Sequence, residues 1–431
     1  MKPRMLLILA ASLFLSGIHA ADWPRFLGPA DDCSSPETGL LKKWPASGPK
    51  KLWEVEKSAG YACPAVAGGW CVIFHGGGGR ETIEGLVAAT GARKWKHDYA
   101  AEYLPQFGAG EGPRSSPVIA GGRVFVAGIA GDLHCLDLST GKVVWHRELA
   151  KEYRLSPTFF GRAGSPLVVD GKLIVSLGTE DGKSLVALDP ATGRELWAAK
   201  SPWGASYASP IPAILHGKKC VLAFQGGMDK PPTGGLLVVD AADGRVLASV
   251  PHRAEMWASV SVSSPVVAGS RVFIAEAYTE GGLCVEIAPD FSAKPAWRAK
   301  TFDTYLTTAV HHAGLLFGFA GMSQQNAELA CHDAATGREL WRDDLGGKFQ
   351  RGSLLRADGA FLALGENGDL AWLTLDARGA KVIAHAKLFD AGETWTLPAL
   401  SNGLLYVSQN QPGAGGTKPR IICYDFAAPK K

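Results

Sequence analysis

The chain has 431 residues, 44 Lys and Arg against 41 Asp and Glu, and a net charge of +3. A near-neutral balance, with basic residues scattered and no basic stripe interleaved with aromatics, argues against nucleic-acid binding. The length permits a large buried core, and 53 Gly beside 46% apolar residues suit a β-rich protein with tight turns.

The first segment reads as a secretory leader over residues 1–20. Lys2 and Arg4 supply the positive start, Met5 to Ile18 the apolar run, and Ile18-His19-Ala20 the cleavage site. The run is short for a membrane span, and no Cys follows the cut, so no membrane anchor is expected. The mature chain is expected to be soluble and exported, to the periplasm or beyond the cell, and monomeric. Residues 21–50, rich in Pro and Gly, read as an extended lead-in lying on the body of the protein.

From residue 51 to 431 the sequence repeats itself. Asp137-Thr140-Gly141-Trp145, Asp189-Thr192-Gly193-Trp197 and Asp333-Thr336-Gly337-Trp341 are complete copies of one motif. Thr90-Gly91-Trp95 has Val87 in place of the Asp, and Asp240-Asp243-Gly244 has Ala248 in place of the Trp. With Trp53 and Trp297 added, and a degenerate place near Ile383, the period is about 40–50 residues, the length of a propeller blade.

Each unit opens on a Ser-Pro-Val-like start, as at Ser116-Pro117-Val118, Ser165-Pro166-Leu167 and Ser264-Pro265-Val266, and worn copies bring the starts to eight. Arg123 to Ala127, Leu133 to Leu136 and Lys142 to Trp145 are short β-branched and aromatic runs bounded by Gly-rich turns. With the start segment they make four antiparallel strands per unit. The Asp-x-x-Thr-Gly piece is the turn between the third and fourth strands, where Asp bonds the local backbone and Gly takes a positive φ. The Trp falls on the outer strand, placed to pack on the neighbouring blade.

The last unit stops at Ile421 to Asp425, a third strand with no fourth after it. Lys51 to Val55 can supply that strand and remove an open sheet edge. The expected fold is therefore all-β: an eight-bladed β-propeller of four-stranded antiparallel blades, closed by pairing of N- and C-terminal strands.

Eight cysteines do not form an evident disulfide framework. Cys135, Cys331 and Cys423 each precede the repeat Asp position by two residues and read as small core residues. Cys63 and Cys71 flank one hairpin and are the pair near enough in sequence to bridge.

The segment Leu185-Val186-Ala187-Leu188-Asp189-Pro190-Ala191-Thr192-Gly193-Arg194-Glu195-Leu196-Trp197, echoed at Leu133 to Trp145 and Leu329 to Trp341, resembles the pyrroloquinoline quinone (PQQ)-like repeat. That repeat occurs in quinoprotein dehydrogenases and in the propeller of the outer-membrane protein assembly machinery. Trp23 to Pro29 resembles the opening segment of exported PQQ-like repeat proteins of the planctomycete and verrucomicrobial kind, with Leu27 where an Arg is more usual. The resemblance implies a fold shared by enzymes and non-enzymes. Quinoprotein alcohol dehydrogenases commonly carry a disulfide between adjacent cysteines, and this chain has no Cys-Cys pair and no Cys-x-x-Cys-His.

Strand order assigns the loops to faces. First–second and third–fourth turns are short and uniform and share one face. Second–third loops and blade-to-blade connections are long and varied and share the other, where function is expected. The connections carry Tyr61, Arg114, Arg162, Tyr207, Trp257, Tyr305, Arg351 and Trp395, one per blade. Aromatic and Arg side chains are common anchors of binding patches, although such residues also serve to plug a ring centre. This ring is read as the binding face of a non-catalytic scaffold for a protein, peptide or glycan, with no cofactor and no metal.

The alternative is a PQQ- and Ca²⁺-dependent dehydrogenase of alcohols or sugars, in which Arg114, Arg162 or Arg351 would hold the quinone. Glu180, Glu276 or Glu366 would then serve Ca²⁺ or proton abstraction. A second alternative is a component of outer-membrane protein assembly.

Overall fold

A computed structural model describes residues 20–103, 110–228, 230–257, 259–260 and 262–428. Its strands sort into eight four-stranded antiparallel sheets, the eight-bladed propeller expected from the repeat. Blade 2 is representative, with strands Val118–Ala120, Arg123–Ala127, Asp132–Asp137 and Val143–Glu148 from the channel outward. Its two middle strands are buried on both faces between neighbouring blades, while the outer strand is largely exposed. Two-sided burial is why those middle strands read as unbroken apolar runs instead of alternating.

The ring closes as the sequence implied. Lys51–Glu56 pairs with Arg420–Asp425 as the outer strand of blade 8, with Trp53 opposite Cys423 and Val55 opposite Ile421. The repeated turn has the expected chemistry. Asp137 Oδ1 accepts from Thr140 N at 3.0 Å and from Thr140 Oγ1 at 2.8 Å, and Gly141 follows with φ 68°.

The lead-in lies across the short-turn face. Trp23 exchanges two backbone bonds with Val66 at 2.7 Å, and Pro24 O accepts from Ile119 N at 2.8 Å. Further on, Ser35 N donates to Arg356 O at 2.9 Å, and the buried Glu37 carboxylate accepts from Asn402 N at 2.6 Å and Gly403 N at 2.8 Å. These partners stand where the inner strands of blades 1, 2, 7 and 8 end, so the segment bridges the channel and closes it at that end. It then passes blades 7 and 8, where Trp44 packs on Phe426 at 5.5 Å and Trp372 Nε1 donates to Leu41 O at 2.9 Å.

All eight cysteines are free and buried, Cys63 and Cys71 among them. The leader, apart from Ala20, lies outside the described residues. No helix among the described residues is long and apolar enough to cross a membrane.

Candidate functional site

From blade 2 to blade 6 the Ser or Thr of the blade start faces the preceding blade. Cys63 N donates to Ser116 Oγ at 2.9 Å, Ser116 N to Ser165 Oγ at 2.9 Å, and Ser165 N to Ser209 Oγ at 3.0 Å. Ser209 N donates to Ser264 Oγ at 3.2 Å and Ser264 N to Thr308 Oγ1 at 3.1 Å. This belt satisfies the innermost backbone donors, which no further strand can reach, and fixes the spacing of six blades around the channel.

Beyond the belt, at the loop-rich end, lies a cavity of about 220 Å³. Every blade contributes to its wall. Tyr61, Arg114, Tyr207, Tyr305, Arg351 and Trp395 line it, so six of the eight ring residues read from the sequence come together here. Phe26 of the lead-in also lines it. Because that segment crosses the opposite end of the channel, the cavity is a cup open at one face.

Four of these side chains form one stacked column across blades 7, 8, 1 and 2. The Arg351 guanidinium lies 5.0 Å from the Trp395 ring, Trp395 stacks on Tyr61 at 5.3 Å and 15°, and the Arg114 guanidinium lies 5.6 Å from the Tyr61 ring. Two stacked rings capped at each end by a cation hold such a column together. Its ends are anchored. Arg114 donates to Gly110 O and Gly112 O, both at 3.0 Å, and burial lowers its pKa.

At the other end Arg351 grips the fully buried Glu366 with two nitrogens, Nε at 2.9 Å and Nη2 on the second oxygen. In the middle, Tyr61 Oη donates to Glu393 Oε2 at 2.5 Å, and Gln411 Nε2 donates to the same oxygen at 2.8 Å. Burial, then the bond to Glu393, pushes the Tyr61 phenol well above its ordinary range. Glu393 sits at φ 57°, an unfavourable conformation for a non-Gly residue.

On the far wall Tyr207 Oη accepts from Phe159 N at 2.9 Å and Phe160 N at 3.2 Å, and Tyr305 Oη meets Tyr278 Oη at 3.1 Å.

Two residues of the expected ring stand elsewhere. Arg162 lies beside the channel wall in blade 3, where it donates to Leu177 O at 2.5 Å and Ser156 O at 2.6 Å, and burial brings its pKa down to about 10. Trp257 stands on the rim, 40% exposed, against Phe159 at 4.9 Å and beneath Lys230 Nζ at 4.4 Å. Sequence reading missed Phe26, Phe160, Ala163, Val260, Val262, Leu306 and Glu393 in the lining. Most flank the ring positions by a few residues, and only the choice of the large polar or aromatic member in each connection hid them.

The family model described as outer membrane protein assembly factor BamB matches residues 79–342. The chain belongs to this PQQ-like repeat family. BamB of Xanthomonas campestris pv. campestris is 42% identical over 99 residues, 22% of this chain and 24% of that protein. Quinohemoprotein alcohol dehydrogenase of Comamonas testosteroni is 29% identical over 140 residues, 32% of this chain and 19% of that enzyme. The chain thus spans at most about a quarter of the curated relatives it matches.

In structure, BamB from Moraxella catarrhalis superposes with a TM-score of 0.57 at 16% identity, covering 88% of this chain and 98% of that one. The Comamonas enzyme gives 0.63 at 13% identity, covering 95% and 81%. Likeness at these identities establishes the shared propeller alone.

The quinoprotein side of the family implies Ca²⁺ and PQQ, and two of the three carboxylates offered for them are held by arginines. Glu276 is buried against Arg253 Nη1 at 3.0 Å, and Glu366 is gripped by Arg351. Glu180 is well exposed, 3.7 Å from Arg154. No group of three or more His, Cys, Asp or Glu among the described residues could hold a metal ion. A Ca²⁺ site needs six to eight oxygen ligands, and these side chains do not fit one. Arg114 gives one N–H each from Nη1 and Nη2 to carbonyls, and Arg351 gives Nε and Nη2 to Glu366.

Proposed function

We propose that this protein is an exported, non-catalytic propeller that docks a protein or peptide partner on its loop-rich face, centred on the cup. The observation that carries this reading is the convergence of six ring residues from six blades on one cavity whose far end is closed by the lead-in. Aromatic and Arg anchors around a desolvated pocket are what a binding hot spot requires. Kinship with BamB, an assembly factor by name, fits a partner-binding role, and the apolar leader fits export to the periplasm or beyond.

The reading is tested by immobilising the mature protein and capturing its partner from a periplasmic extract of the source cells. Trp257→Ala with Trp395→Ala should abolish capture at an unchanged fold. Full-strength capture by that double variant would overturn the placement of the site.

A second reading, a PQQ-dependent dehydrogenase, is favoured by the sequence likeness to quinate and alcohol dehydrogenases. Calorimetric titration with PQQ, with and without Ca²⁺, decides it. Saturable Ca²⁺-dependent binding would move the protein to that class, and no binding would leave the scaffold.

A further inference from the structure

The cup's size and its inventory of hydrogen-bonding groups restrict what can enter it. Resting on the reading above, we propose that the cup receives one neutral, apolar anchor side chain of a peptide segment, aromatic or large aliphatic.

Volume is the first argument. Pockets that enclose whole small molecules run to about 300–1,000 Å³, and this cavity holds about 220 Å³. That space suits a fragment of a larger partner better than a whole cofactor.

Polarity is the second. Much of the wall is apolar, including Phe26, Phe160, Val260, Val262 and Leu306. The charges around it balance: Arg351 pairs with Glu366, Arg114 donates to two carbonyls, and Glu393 accepts from Tyr61 and Gln411, two cations against two carboxylates. The wall therefore offers no net charge to attract an ion, and a ligand that drew Arg351 away from Glu366 would leave a carboxylate buried without its cation.

Continuity is the third. From the cup an aromatic path leads to the rim, from Tyr207 to Phe160 at 5.9 Å, Phe160 to Phe159 at 6.1 Å and Phe159 to Trp257 at 4.9 Å. It ends at Met256 and Trp257, 51% and 40% exposed. Phe159 and Tyr207 within it are buried, so a peptide anchored in the cup meets this row at its exposed end, where Met256 and Trp257 can receive its next apolar residue.

The test titrates the full mature protein with N-acetyl-tryptophanamide, N-acetyl-leucinamide, N-acetyl-aspartamide, benzoate and PQQ, in the wild type and in Ala163→Phe, which fills the cup. Val262→Phe, from another wall, serves if Ala163→Phe does not fold. The neutral capped tryptophan and leucine should bind saturably, with the aspartyl probe and the anions at least tenfold weaker, and either filled variant should lose the neutral probes by tenfold or more.

Preferential binding of benzoate, PQQ or the aspartyl probe would overturn the neutral-anchor assignment while leaving partner docking intact. Failure of every probe on the wild type would also overturn it. The docking reading itself stands or falls separately on partner capture.

Discussion

Trp95, on the outer strand of blade 1, lies face-on against Gly141 in the repeated turn of blade 2. A Cβ on Gly141 would stand 2.6 Å from the indole ring, and the indole Nε1 donates to Leu138 O at 2.8 Å. Trp53 with Gly91, Trp145 with Gly193 and Trp297 with Gly337 repeat the arrangement, each with its indole bonded to the next blade. The Trp and the Gly of the motif therefore belong to different junctions: each Gly makes room for the Trp of the blade before it.

Gly141→Ala should destabilise the protein by about 2 kcal/mol or more, through overpacking against Trp95 and a strained φ of 68°. Gly121→Ala has φ 55° but nothing within 4 Å, so it should cost only about 1 kcal/mol of backbone strain. Urea unfolding of the two variants checks the difference.

Arg351→Met should destabilise by about 3 kcal/mol, because it leaves the Glu366 carboxylate buried without its cation. The pair Arg351→Met with Glu366→Met should recover much of that loss. A double-mutant cycle in urea reads the coupling directly.

His134 is held neutral by burial, with His146 and His97 adding repulsion, so its pKa falls from 6.5 to about 3. Below pH 6.5 the unfolded chain takes up a proton that the folded chain refuses. Stability from this residue is therefore complete above that pH and drains away between about pH 6.5 and 3. His134→Gln should show a shallower loss of melting temperature from pH 7 to pH 4.5 than the wild type.

Glu81 works in the opposite sense. Burial raises its pKa from 4.5 to about 7, against the lowering effect of Tyr99 Oη at 2.7 Å. The folded chain keeps a proton that the unfolded chain releases, so this residue's contribution declines as pH rises through that interval and stays low above it. Glu81→Gln should remove that decline, and melting curves at pH 5 and pH 8 would show it.

Eight buried thiols should resist a thiol reagent in the native protein and all react once it is unfolded without reductant. Six reactive thiols after unfolding would reveal one bridge, with Cys63 and Cys71 the pair to examine.

The blade count, the turn chemistry and the closing strand were legible because each is a local pattern: Asp and Gly in a turn, apolar runs in strands, a third strand lacking its fourth. The channel mouth was legible in part, since residues such as Tyr61 and Trp395 occupy like positions in successive connections. What the sequence could not show was contact between distant segments.

The substitutes used where the repeat Trp is missing illustrate this. At Ala248 the gap is met by His216, which bonds Ile287 O at 2.8 Å and packs edge-on to Phe291. Past Ile383 it is met by Trp44 from the lead-in against Phe426. Arg162 was misplaced for a similar reason. Its position in the connection matches Arg114, but nearby carbonyls at Ser156 and Leu177 hold its guanidinium beside the wall.

The central claim is that the partner meets the loop-rich face. A photo-cross-linking residue placed at Met256, on the rim, and separately at Lys142, in an exposed turn of the opposite face, tests it in source cells. Cross-linking of one partner from position 256 and none from 142 is the predicted result. The same partner captured from 142, with position 256 silent, would contradict it.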